Sequence, residues 1–362
     1  PPRASTGNPR TQLLPRLHAP PSQGIRKLLY IRARFTDDRQ DPVSEEGARE
    51  DLAGADALFR RMSRGVFGFV YDVTPVVNLG KPRADYAGPG GFDRFIDDAR
   101  AASEAAGWDY RDYDLEVVRH SGVPTFAGGN ARLGDRGAQV QLGGSTLLVH
   151  EIGHNLGLSH ANSWDTGGPG ASLSSPPLPS NYPSLPDPRS IPFHPDSVVG
   201  HDTATGPGTP QEYGDLWDIM GGGDHDFQAS SKGHLGWLSA GAVVEPGPGF
   251  TTHRLHSGDD ANLPPGTVAA LRLPLLHANA AGAPLLLVEM PPARGDQSPA
   301  DGVLLRWTDL ARPPGPSLML DGTPGSTQGL GDAVLPPGKT LGHPAAGWFV
   351  TPLAAGRDGP AR

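Results

Sequence analysis

The eleven residues His150-Glu151-Ile152-Gly153-His154-Asn155-Leu156-Gly157-Leu158-Ser159-His160 constrain this chain more tightly than any other feature. They have the form H-E-x-x-H-x-x-G-x-x-H. His150 and His154 are four apart, so on a helix they lie on one face, one turn from each other. Their ring nitrogens can then meet a single metal at about 2.0–2.1 Å. Glu151 is rotated by one residue, beside such a metal rather than on it, within reach of a water. Gly144-Ser145 offers a helix start, with Ser145 or Thr146 as N-cap. The apolar run Leu147-Leu148-Val149 turns the helix inward. His160 cannot join from the same straight helix, so the chain must bend. Gly157 is placed to let it, because a glycine just past a helix takes positive φ without a Cβ clash. Three imidazoles leave a fourth position open, the mark of a catalytic rather than a structural zinc site. The chain has no cysteine, which excludes a closed thiolate site.

A second signal lies downstream in Tyr213-Gly214-Asp215-Leu216-Trp217-Asp218-Ile219-Met220-Gly221, followed by Gly222 and Gly223. A lone methionine is usually core filling. Here the glycines that follow it allow a tight turn beneath the histidines. A zinc helix followed by a methionine turn is the metzincin pattern.

On these residues the chain resembles the metzincin clan of zinc endopeptidases, and within it the gametolysin-like peptidases. The block Phe227-Gln228-Ala229 to Lys232-Gly233-His234-Leu235-Gly236-Trp237-Leu238 and the opening stretch Leu28–Asp38 are similar to elements of that family. The resemblance covers about residues 25–240 well and 245–362 weakly. It implies His150, His154 and His160 as zinc ligands, Glu151 as general base and Met220 as the turn methionine. It also implies secretion and extracellular or cell-wall proteins as substrates. Some metzincins carry a tyrosine two residues after that methionine, and here the position is Gly222. Tyr213 is the substitute we weigh as a transition-state stabiliser.

Composition bounds the remaining readings. With 362 residues and 36% hydrophobic content the chain can bury one core and has material for two. No apolar run approaches the ~18 residues that span a bilayer. A net charge of −9 with scattered Lys and Arg argues against nucleic acid as a partner. The opening Pro1-Pro2-Arg3 lacks a signal-peptide pattern, so secretion rests on the resemblance alone. Oligomeric state is not legible.

Along the chain, residues 1–24 read as a tail or propeptide remnant and 25–245 as an α/β (α+β) metzincin-like catalytic domain. Strands are predicted at Lys27–Thr36, Phe67–Leu79, Leu115–Arg119 and Ala138–Leu142, and helices at Ser44–Met62 and Phe92–Ala106. The resemblance makes Ala138–Leu142 the sheet edge to which an extended substrate adds. Residues 161–212 read as a long Gly/Pro/Ser-rich loop, a candidate for self-cleavage. Asp202, Asp215, Asp224 and Asp226 are weighed as calcium ligands against the commoner fate of solvated surface acids. Beyond Pro246-Gly247-Pro248-Gly249, short strands at Thr251–Leu255, Thr267–Leu273, Pro284–Glu289, Gly302–Trp307, Ser317–Leu320 and Trp348–Val350 predict a C-terminal all-β sandwich over 246–362.

The functional expectation is a zinc metalloendopeptidase acting on protein substrates through a metal-activated water, with Glu151 as general base. The alternative is a non-catalytic, zinc-bearing binding or adhesion protein.

Overall fold

A computed structural model describes residues 21–165, 198–199, 209–239, 241–257, 266–274, 285–292, 301–308, 317–323, 326, 329–343 and 348–354. Asp202, most of the predicted loop and the self-cleavage region lie outside these residues. The architecture is mixed α/β, with several sheets and few helices.

The first half alternates strand and helix as its sequence periods require. Strand β1 (Gly24–Arg34) leads to helix α1 (Glu45–Met62), whose N-cap Ser44 accepts a hydrogen bond from the Gly47 amide at 3.0 Å. Glu45 and Glu46 sit in the first turn and Arg60 and Arg61 in the last, each complementing the helix dipole. The buried face is Ala48, Leu52, Ala55, Phe59 and Met62, the stripe the sequence predicts. Then follow β2 (Phe67–Asn78), α2 (Gly91–Ala105), β3 (Leu115–Arg119), β4 (Gly129–Ala131), β5 (Ala138–Val140) and α3 (Ser145–Asn155). The five strands form one sheet in the order β2-β1-β3-β5-β4, parallel except for β4. Helices α1 and α3 cover one face through Leu28, Tyr30, Val117, Leu52, Phe59, Val149 and Ile152. Helix α2 covers the other through Phe95, Ile96 and Ala99.

One expectation is corrected here. Strand β5 is not the edge. It is covered by β4, which pairs antiparallel with it at Gly129↔Val140 and Ala131↔Ala138, so the free edge on this side of the sheet belongs to Gly129–Ala131. The motif Gly-Asn-Ala is too short and too weakly patterned to register as a strand in sequence.

The remaining strands are β6 (Ala161–Asp165), β7 (Val198–Val199), β8 (Thr209–Gln211), β9 (Val243–Val244), β10 (Ala270–Pro274), β11 (Leu285–Glu289), β12 (Leu304–Thr308), β13 (Ser317–Leu320), β14 (Thr340–His343) and β15 (Trp348–Val350), with α4 (Ala229–His234) between β8 and β9. Seven of them form a second sheet, β8-β6-β13-β12-β11-β10-β9. This sheet joins segments on both sides of Pro246, because β6 pairs in parallel with β13 at Ala161↔Ser317. A third sheet, β15-β14-β7, shares an apolar core with the second through Leu341, Trp348, Leu286, Leu305 and Trp307. Thr251–Leu255, predicted as a strand, makes only the single bridge Leu255↔Val268.

Candidate metal centre

Helix α3 carries His150 and His154 on one face, as its spacing dictates. It ends at Leu156, where Gly157 takes φ +98° and Leu158 donates its amide to the Gly153 carbonyl. That turn returns His160 to the other two imidazoles. The Ala161 amide then bonds the Met220 carbonyl at 2.9 Å and the chain enters β6. The third histidine is therefore held between a helix turn on one side and the second sheet on the other.

The three rings converge. The Nε2 atoms of His154 and His160 are 3.0 Å apart, and one ring nitrogen from each of His150, His154 and His160 lies within 4.8 Å of the others. Two nitrogens at about 2.05 Å from a shared tetrahedral zinc would be about 3.3 Å apart, close to what is found. Each Nδ1–H is engaged away from the centre: His150 donates to the Ile219 carbonyl at 2.7 Å, His154 to the Leu158 carbonyl at 2.7 Å, and His160 to Glu212 Oε1 at 2.8 Å. With Nδ1 protonated, every Nε2 presents a lone pair inward. Burial pushes His154 and His160 down to about 3 and lowers His150, so the rings stay neutral and do not supply a proton of their own. Facing lone pairs at 3.0 Å in a buried site would be relieved by a cation between them, which this trio could hold. The donor set, three imidazoles and no thiolate, suits zinc.

Glu151 is 3% exposed, and burial pushes its carboxyl up to about 8. Its Oε2 has no hydrogen-bond partner. Gly129 on the free edge lies directly against this carboxylate, and any Cβ there would collide with it. The glycine is what admits Glu151 to the space beside the histidines.

Met220 is fully buried beneath α3, its Sδ filling the place that a Cβ on Gly153 would need. Asp218 shapes the turn. Its Oδ1 accepts the Met220 amide at 2.8 Å, its Oδ2 accepts the Gln228 amide at 2.9 Å, and its carbonyl accepts from Gly221 and Gly223. A Cβ on Gly222 would come within 2.8 Å of Leu216 Cδ2 and 3.1 Å of the Tyr213 carbonyl, so a side chain at that position would displace its neighbours. Tyr213 instead sits on the ligands, its ring centroid 4.1 Å from that of His160 and 6.0 Å from that of His150. Its backbone has φ +60°, unusual for a side-chain-bearing residue, and its amide donates to the buried Asn162 at 3.1 Å.

Sequence reasoning does not find Glu212, which orients His160 across a separation of 52 residues. Nor does it find Arg306, which reaches from β12 to Asp215 at 2.5 Å and also pairs with Glu289. Asp215 and Asp226, weighed as calcium ligands, are instead spoken for: Arg306 neutralises the first and Lys232 the second at 2.6 Å. Asp224 is exposed beside His225. Among the described residues the histidine trio is the one group with metal-binding geometry. No family model matches the chain, and no curated protein matches it at a significant level.

Proposed function

We propose that this protein is a zinc-dependent endopeptidase of the metzincin type, most like the gametolysin-like peptidases. The observation that carries the reading is the trio of inward Nε2 atoms beside the buried, unpartnered Glu151 carboxylate. When bound, zinc supplies Lewis-acid polarisation of the scissile carbonyl and lowers the pKa of water toward ~7. His150, His154 and His160 would hold it. Glu151 takes a proton from the attacking water at Oε2 and returns it to the leaving amine nitrogen. The free edge Gly129–Ala131 offers main-chain groups to an extended peptide, setting its scissile bond next to Glu151. Tyr213, stacked on His160, is the candidate hydroxyl for stabilising the oxyanion. Secretion and extracellular or cell-wall protein substrates belong to the same proposal.

The test is digestion of casein or gelatin by purified protein, with and without a zinc chelator, beside Glu151→Gln and elemental analysis. The expected outcome is about one zinc per chain in both proteins, chelator-sensitive cleavage by the wild type, and a loss of 10²–10⁴-fold in Glu151→Gln. Bound zinc without cleavage by the wild type would favour the non-catalytic binding protein. Undiminished cleavage by Glu151→Gln would remove the assignment of the base.

A further inference from the structure

Two well-buried arginines of this protein are matched to carboxylates. Arg306 meets Asp215 and Glu289, and Arg100 meets the fully buried Glu116. A pair on the first sheet is not. Arg32 on β1 and Arg119 on β3 are register partners on neighbouring parallel strands. By strand alternation they share the face of Tyr30 and Val117, which α1 and α3 cover. Arg32 is 8% exposed and Arg119 is half-buried. The Nε of Arg32 and both Nε and Nη1 of Arg119 are buried with no hydrogen-bond partner. Among the described residues neither guanidinium has a carboxylate within ion-pairing distance.

A third unpartnered donor lies beside them. The Tyr30 hydroxyl is buried with no partner and feels both guanidiniums. Burial raises its pKa, Arg119 and Arg32 oppose the rise, and Asp51 adds to it. Asp51 is the one acid in this neighbourhood that acts on Tyr30, and its Oδ1 is engaged by the Gly144 amide at 3.0 Å, where α3 begins. Two like charges on opposed positions of adjacent strands repel, and a buried guanidinium without a counter-charge is costly. At Arg306 and Arg100 this chain supplies the counter-charge itself. Here it does not.

We propose that Arg32, Arg119 and Tyr30 form a binding site for a tetrahedral oxyanion of the phosphate class. Two guanidinium forks and a hydroxyl offer more donors than a single carboxylate can accept, and two positive charges match a dianion. The arginine pair lies in the same row across the sheet as Val140 and Gly129, the glycine under Glu151, so an occupant would sit at the far end of the row that borders the histidine trio. Bound there, the anion ties β1 to β3 close to the start of α3.

The experiment is a melting series on the metal-loaded protein in inorganic phosphate, sulfate, glycerol 3-phosphate or acetate, each against sodium chloride at equal ionic strength. The wild type should melt about 3 °C or more higher in phosphate than in chloride. A larger rise with glycerol 3-phosphate than with free phosphate would place the source in a phosphate ester, and the reverse in the inorganic ion. Arg119→Met should lose the rise, and in chloride should melt no lower than the wild type, since a repulsive charge has been removed. Equal melting in phosphate and chloride overturns the site, as does a phosphate response retained by Arg119→Met. Should Arg119→Met fail to fold, calorimetric titration of the wild type decides: one phosphate per chain with a Kd below about 1 mM supports the site, and no saturable heat overturns it.

Discussion

Two buried polar clusters stand close to each other and balance their charges in opposite ways. Around the methionine turn, Arg306 sits between Asp215 and Glu289, and Lys232 meets Asp226, so each cation has its carboxylate within the chain. At α3, three neutral imidazoles turn their lone pairs toward one point, and Glu151 keeps an oxygen unpartnered beside them. The first cluster is complete without any addition. The second has the geometry to take a cation. A buried polar group satisfied from within holds the fold together, and one left unsatisfied marks where something else is to bind.

The contrast is broken most severely by Arg306→Met. This leaves Asp215 and Glu289 buried without their partner, and unfolding in urea should show a loss of about 3–5 kcal/mol. A loss below ~1 kcal/mol would mean that this cluster is not the internally balanced one.

A smaller effect comes from pH at His120, a fully buried imidazole near the unpaired arginines. Its Nε2–H donates to Gln139 Oε1 and its Nδ1 accepts the Gly122 amide at 3.0 Å. Burial pushes it from 6.5 down to about 4. Between those values the unfolded chain binds a proton that the folded chain refuses. Stability from this residue is thus whole above pH 6.5 and falls as pH drops toward 4, by at most about 3 kcal/mol. Melting curves for the wild type and His120→Asn should converge as the pH is lowered through that window. Parallel curves would exclude His120 as the source.

The mildest change sharpens the histidine side. Glu212→Gln keeps an acceptor for His160 Nδ1–H but removes its charge, and zinc affinity measured by chelator competition should weaken about 10–100-fold. The melting temperature of the metal-free protein should stay close to that of the wild type. An unchanged affinity would show that Glu212 merely fills space.

What the sequence makes legible follows the range of each interaction. His150, His154 and the bend at Gly157 are set within one helix and the turn after it, so spacing alone places them. The stripe of α1 from Ala48 to Met62 is equally local. Asp215 looks like a candidate calcium ligand until Arg306 arrives from 91 residues away. Glu212 carries no pattern of its own, because its role exists only once Gln211 has joined β8 beside β6. The free edge is misread for a related reason: Gly129–Ala131 has no alternation to reveal it, and its identity as a strand comes from its pairing with β5.

The parallel pairing of Ala161 with Ser317 reaches beyond architecture. The residue next to the third imidazole is anchored to a strand that is synthesised more than 150 positions later. Placement of the last imidazole of the trio is thus coupled to a distant stretch of sequence through Ser317.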